Sequence, residues 1–449
     1  MRFKRTICSF LIPFAIFLGF IYLSFRLTAF PSLFNNQADG FAYYLPLRSF
    51  YFDGDFRFAD ENSYFESLTG CLPYDWRHVT ETGHSVYHYS VGPSFLWLPF
   101  AKLFSTEYRV APHLLLESKQ LNRPPPIGFF GSSFKSLVLG TYFYGIVGLI
   151  LIYLFLKQVT KGSGYLYWLT VVLIFGATPF VYYFLYQPLM PHVMSAFSNS
   201  LFLYFWSRRI ASKRNLDWFL AGLILGLAAL IKWPNFLLVF FLMIELIFDV
   251  KDKRTGFVHG AAAFLLCMVG FLITFSPQLI FWKQVYRRIL VIPQGAGFFS
   301  LKITNFFKFL FSWHHGLFSW HPLFLLAIIG YLISIFKKKD IRLAGSNKIL
   351  LWSSVLTLAA AAMISGLNID WHGSDSFGAR RMVDFSPLFA LGLFWFLRRF
   401  RKKLTYVFPI LVVLIVYNLL FAIQYAQWKL GHFGPVSPVQ VIQNTLKNM

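Results

Sequence analysis

Apolar runs of roughly twenty residues recur along this chain, and short basic clusters punctuate them. A run of that length crosses a bilayer core as a helix, because the core offers no water to satisfy backbone polar groups. Repeated runs therefore predict an all-α integral membrane protein. The alternation and turn spacing of a membrane β-barrel are absent. Only 13% of the residues are charged, against about 25% in soluble domains. The formal net charge of +23 would suit a nucleic-acid binder. Here, however, the charge sits in short clusters between apolar runs, where it anchors cytoplasmic ends, and no nucleic-acid partner is expected.

The clusters set the topology. They lie at 2–5, 157–161, 208–214, 251–254, 337–342 and 398–403, and the positive-inside rule puts all of them in the cytoplasm. An even number of crossings must then separate each consecutive pair. Runs at 165–186 and 191–207, 217–231 and 235–250, 257–280 and 321–336, and 348–366 and 385–398 satisfy this for the last four pairs. Between the first two clusters lie 7–30, 92–104 and 135–157. The middle run has 13 residues with Pro93 and Pro99 inside it, too few to span, and is expected to be an interfacial helix. A final run at 404–424 carries the C-terminus outside, giving eleven spans. The N-terminus is then cytoplasmic, with an uncleaved first span. Residues 1–430 form one transmembrane domain, with outer loops at 31–134, 281–320 and 367–384, and 431–449 is a short outer tail. Within the first loop, 41–52 is aromatic with Arg48 its only charge, and is expected to lie along the interface. The three cysteines, Cys8, Cys71 and Cys267, offer no disulfide framework or metal-type spacing.

This topology gathers the titratable groups on one side. Ten of the eleven histidines fall in or beside outer segments, His259 being the exception, and ten of the eighteen acids lie between Asp39 and Glu117. Asp39 follows the first span directly, where a carboxylate is costly to keep near lipid unless it has a use. It is the first candidate for a general base toward an incoming hydroxyl or amine. Asp55, Asp60 and Glu61 follow in the same loop, and His192 lies in a proline-rich outer turn. These groups and other histidines are ligand types for Mg, Mn or Zn, although HExxH and any regular ligand spacing are missing. Lys232 stands alone between two runs on the outer side, and Arg380 and Arg381 are outside against the charge rule. An outer arginine pair suits a phosphate, through bidentate charge-assisted bonds, or a salt bridge to Asp375 or Asp384. His314, His315, Trp371 and His372 lie in two further polar clusters, and with Tyr43 and Tyr44 they are candidate sugar or acceptor contacts.

Several motifs in this order resemble the GT-C superfamily of polytopic membrane glycosyltransferases, in particular bacterial protein O-mannosyltransferases and aminoarabinose transferases. They are Asp39-Gly40-Phe41-Ala42-Tyr43-Tyr44, Phe52-Asp53-Gly54-Asp55-Phe56, Ala59-Asp60-Glu61, Tyr89-Ser90-Val91-Gly92-Pro93-Ser94, Lys232-Trp233-Pro234, His315-Gly316-Leu317-Phe318-Ser319-Trp320-His321-Pro322 and Ser376-Phe377-Gly378-Ala379-Arg380. The resemblance spans roughly 1–400. It implies a GT-C fold in a bacterial inner membrane and a polyprenyl-phosphate sugar donor. It further implies an inverting transfer on the extracytoplasmic face, to an envelope lipid, glycan or protein. By carry-over Asp39 is the base, and Lys232 and Arg380 contact the donor phosphate. His192 stands where many relatives place a carboxylate, which leaves metal use open. A transporter or lipid flippase is the alternative. Transporters place ionisable residues at mid-membrane, and here Glu245 is the clearest such residue.

Overall fold

Backbone groups in apolar runs must be satisfied within the chain, and among the described residues helices do this. The structure is a computed structural model describing residues 38–70, 74–109, 131–210, 214–251, 256–336 and 347–447. Run 7–30, Cys8, Cys71, and the clusters at 2–5 and 337–342 lie outside the described residues. Among the described residues no strand occurs, only isolated bridges joining Val79 to Ser85 and Phe299 to Asn368. The helices are α1 (Ala38–Arg48), α2 (Ala59–Thr69), α3 (Gly92–Phe104), α4 (Gly131–Val159), α5 (Gly164–Gly176), α6 (Phe180–Leu185), α7 (His192–Arg209), α8 (Asn215–Ile231) and α9 (Val239–Lys251). They continue as α10 (Phe257–Tyr286), α11 (Ile303–Phe311), α12 (Leu317–Trp320), α13 (Leu323–Phe336), α14 (Asn347–Gly366), α15 (Ser386–Arg399), α16 (Leu404–Ala426) and α17 (Pro438–Lys447).

Five helical segments among the described residues are long and apolar enough to cross a membrane: Ser132–Val159, Trp233–Lys251, Phe257–Tyr286, Asn347–Gly366 and Arg401–Ala426. Gly164–Gly176, Asn215–Ile231 and Leu323–Phe336 are apolar but shorter. The sequence expectation of eleven spans is thus met by five segments on length and composition, and the reasons are local. The expected run 165–186 breaks at Pro179, which has no N–H for a continuing helix and separates α5 from α6. The expected run 191–207 is helical, but α7 carries Ser195, Ser198, Asn199 and Ser200, all fully buried. A helix this polar is stable in a bundle only when protein surrounds it. The expected run 385–398 is α15, buried along nearly its whole length.

Two close approaches tie α3, α8 and α10 together. α8 packs along α10, where a Cβ on Gly222 would lie 2.0 Å from the Cys267 carbonyl oxygen and one on Gly270 would lie 2.3 Å from that of Phe219. Small residues at such a crossing let two backbones meet. At the far end of α8, a Cβ on Gly92 would lie 2.3 Å from the Leu230 carbonyl oxygen, so the start of α3 is seated beside Lys232. α3 has the 13 residues expected and leaves Phe95, Leu103 and Phe104 exposed. α1 departs from the expectation of a surface-lying helix. Phe41, Ala42, Tyr44, Leu45 and Leu47 are buried, and Arg48 is 0% exposed. Its guanidinium meets Asp53, Asp60 at 2.9 Å and Glu61 at 2.7 Å, and this local cluster lets α1 sink into the protein. The expected outer tail contains α17, held to α16 by Gln424 Nε2 donating to the Val441 carbonyl at 3.0 Å.

Candidate active site

Asp39 sits in the first turn of α1, where the helix N-terminus favours a carboxylate. Tyr89 Oη donates to its Oδ1 at 2.8 Å, and Arg380 Nη1 lies 2.9 Å from its Oδ2. The side chain remains one-third exposed. Tyr43, one turn further along α1, packs its ring against Tyr89 with centroids 5.0 Å apart. Asp39 is thus oriented by two groups from distant segments while one side stays open.

Lys232 closes α8 in extended backbone and starts the Trp233–Leu238 turn. Its Nζ lies 2.6 Å from Asp384 Oδ2, and His192 Nδ1 lies 2.9 Å from Asp384 Oδ1. The ammonium donates to the buried carboxylate, and its Nζ also lies 3.1 Å from His192 Nδ1, so the three groups form one closed triangle. The polar side of α7 builds this triad. Asn199 Nδ2 donates to the Asp384 carbonyl at 2.8 Å and to Asn235 Oδ1 at 2.9 Å, tying the Lys232 turn to the segment that carries Asp384. Burial pulls the Lys232 ammonium down to about 8, against the pull of Asp384. Burial would raise Asp384, but Lys232 and His192 together hold it below the ordinary carboxylate range.

The arginine pair uses different partners from the expected Asp375 or Asp384. Arg380 takes Asp39, and Arg381 donates to both the carbonyl and Oδ2 of Asp370, each at 2.7 Å. Burial opposes the charge on Arg380, and Asp39 foremost, with Tyr183, Asp370 and Tyr43, more than restores it, raising the guanidinium above its ordinary value. Asp375 instead receives Tyr425 Oη at 3.1 Å and pairs with His432 at 2.7 Å.

These groups line a cavity of about 380 Å³ together with Tyr43, Tyr89, His192 and Asn368. Of the residues singled out in the sequence, Asp39, Lys232, Arg380, Arg381, His192 and Tyr43 converge there. Three cations face four carboxylates, Asp39, Asp370, Asp375 and Asp384, and the wall presents many donors. Such a wall can hold a phosphate and keep a carboxylate near it.

Other candidates are placed elsewhere. Tyr44 points into the core, with its Oη 2.6 Å from that of Tyr108. Asp60 and Glu61 meet Arg48, which supplies the cation at that cluster, and Asp55 accepts from Ser49 Oγ and the Arg57 N–H. His314, His315, Trp371 and His372 gather behind the Asp370 wall and do not line the cavity. Burial lowers all three histidines, leaving neutral imidazoles at pH 7. Sequence reasoning missed Asp370 and Tyr89, and it offered Asp384 as an alternative partner for the arginines where the structure pairs it with Lys232. The available signal was that Asp370 and Asp384 are acids in or beside the outer loop that carries the arginines.

Residues 127–281 match the family model of the dolichyl-phosphate-mannose-protein mannosyltransferases, a GT-C family. The match runs from α4 into α10 and contains His192 and Lys232, while Asp39 and the arginine pair lie outside it. It covers about a third of the chain, and the GT-C resemblance read from the motifs holds there. No curated protein matches the chain at a significant level.

Proposed function

We propose that this chain is a polytopic membrane glycosyltransferase that moves a sugar, mannose first among candidates, from a polyprenyl phosphate to an envelope acceptor. The transfer takes place on the extracytoplasmic face and inverts the anomeric centre, in an eleven-span topology with a cytoplasmic N-terminus. The observation that carries this reading is the convergence of Asp39, Lys232, Arg380 and Arg381 on one cavity from three separate stretches of sequence. The match to a mannosyltransferase family supports the donor class.

The chemistry follows from the charges. The acceptor hydroxyl oxygen attacks the anomeric carbon from the face opposite the phosphate, and its proton passes to Asp39. The bond from the anomeric carbon to the phosphate oxygen breaks, and its electron pair leaves on that oxygen. A phosphodiester monoanion becomes a phosphomonoester dianion, so one negative charge develops on the leaving group. Arg380, Arg381 and Lys232 are donors already in place for that charge, in a water-poor wall where such stabilisation is strongest. Donor binding draws Arg380 toward phosphate and frees Asp39 Oδ2 for the acceptor proton.

The test is transfer of labelled mannose from polyprenyl-phosphate-mannose to envelope acceptors by the protein purified into lipid nanodiscs. Asp39→Asn is expected to lose about 10²–10⁴-fold in rate with unchanged thermal unfolding, the range for a positioned base. Full activity in that variant would sink the assignment of Asp39.

A further inference from the structure

We propose that His314, His315 and His372 form a binding site for a transition-metal cation, zinc first among them, that staples the back of the cavity wall. One ring nitrogen of each histidine lies within 4.8 Å of the corresponding atoms of the other two. Zinc–imidazole bonds of about 2.0–2.1 Å in a tetrahedral site put ligand nitrogens roughly 3.4 Å apart. The rings must draw together to reach that spacing.

Two loops present these rings through unusual backbone. His315 has φ 61°, and His372 is followed by Gly373 at φ 77° and Ser374 at φ 53°. Left-handed backbone at non-glycine residues is held only where the surroundings demand it, and such residues cluster at functional sites. The rings of His314 and His372 stack at 4.5 Å and 12°, and the edge of Trp371 covers His314. His314 Nε2 is buried without a hydrogen-bond partner. His315 Nδ1 donates to the His372 carbonyl at 2.9 Å, which leaves the lone pair on Nε2, where Tyr425 Oη stands 3.5 Å away and must yield to a cation. A histidine that donates its other N–H to a carbonyl is the arrangement that orients a metal ligand. In His372 the lone pair on Nδ1 accepts the Ser374 N–H at 3.1 Å, and a cation exchanges that bond for a metal–nitrogen bond.

The donor set selects the cation. Three imidazoles suit zinc or a neighbouring transition metal and suit magnesium or calcium poorly. The Asp53, Asp60 and Glu61 group differs, because the Arg48 guanidinium lies among those oxygens. A metal on the histidines would join the 312–316 turn to the 370–374 turn. The second turn carries Asp370, which receives Arg381, and Ser374, which lines the cavity. The metal would stiffen the wall that holds an arginine without touching a substrate.

The test uses the full chain in detergent micelles, purified with an affinity tag free of histidine, equilibrated with zinc chloride and desalted. Elemental analysis is expected to find about one zinc per chain, from a three-nitrogen site with an open fourth position. His314→Ala and His372→Ala should each lose that zinc, whereas His259→Ala, at an exposed position on α10, should keep it. Zinc should also raise the unfolding temperature of the parent and not of the two variants. Cobalt loaded in place of zinc on the unaltered chain should give the visible absorption of a tetrahedral nitrogen-ligated ion, a readout that does not depend on the variants folding. Equal zinc in the parent and in His314→Ala, or no such cobalt spectrum, overturns the proposal. Asp39→Asn should leave zinc content unchanged, so this site and the transferase reading fail separately.

Discussion

Arg48 and Arg380 are both arginines sunk among carboxylates, and their surroundings differ in two respects. Arg48 is fully buried and meets three acids that lie within 13 residues of it in sequence. Arg380 meets one carboxylate, Asp39, brought from 341 positions away, and the pair opens into a cavity. The first cluster is local and centred on a fully buried guanidinium, with Asp60 alone half-exposed at its rim. The second is open and long-range, so a ligand can enter and replace one charge by another. Residue types alone do not separate a structural cluster from a chemical one; openness and the origin of the partners do.

The sharpest way to break the comparison is to remove each arginine. Arg48→Met leaves buried acids without their cation and is expected to cost about 3–5 kcal/mol, read as a lowered unfolding temperature. Asp60→Asn, at a half-exposed member of the same cluster, should stay within about 1 kcal/mol. Arg380→Gln should do the opposite of Arg48→Met. Asp39 is one-third exposed, so water covers the lost partner and the stability change should stay within about 1 kcal/mol. Transfer, however, should fall about 10²–10³-fold, the range for losing one preorganised donor to developing charge. A large stability loss with intact transfer per folded molecule would place Arg380 in the structural class.

Lys232 extends the comparison to pH. Its ammonium titrates at about 8 because burial disfavours the charge. Below that pH it is a cation facing the cavity, and above it the charge is lost. The KM for a lipid-phosphate donor should therefore rise as pH climbs through about 8, and Lys232→Arg should flatten the rise. In Asp384→Asn the carboxylate that supports the ammonium is gone, so the same rise should begin at lower pH. A donor KM independent of pH from 7 to about 9 would remove Lys232 from phosphate binding.

What was legible in the sequence follows the same division. Asp39, Lys232, Arg380 and Arg381 each break a rule of membrane sequences, a charge at a span end or a cation on the outer side, and such breaks can be read without coordinates. Their partners cannot be read that way. Asp384 faces Lys232 rather than an arginine because Asn199 on α7 fixes its backbone, and nothing local encodes that contact. The polar character of α7 was visible, but a run of 17 residues with several serines still reads as a span until the surrounding helices bury it. Arg48 read as the lone charge of an interfacial helix. The five-residue π-helical turn at Ser49–Asp53 and the left-handed Phe58 fold the chain back and bring Asp60 and Glu61 to it. Long-range and turn-dependent pairings are where residue type and spacing run out.

A pH series tests the Arg48 cluster from within. Burial pushes the Glu61 carboxyl up to about 8 from 4.5, against the pull of Arg48. The folded state therefore keeps a proton that the unfolded chain has released between those two values. With fewer protons bound in the unfolded state, stability falls as pH rises from about 4.5 to about 8 and then levels. Glu61→Gln keeps the shape and the neutral charge state, so it should remove this slope while leaving stability near pH 5 little changed. Thermal unfolding of both proteins across that pH range measures it. If the two curves keep the same slope, Glu61 is ionised in the fold, and Arg48 must then neutralise it as a true ion pair rather than as the acceptor of a shared hydrogen-bond network.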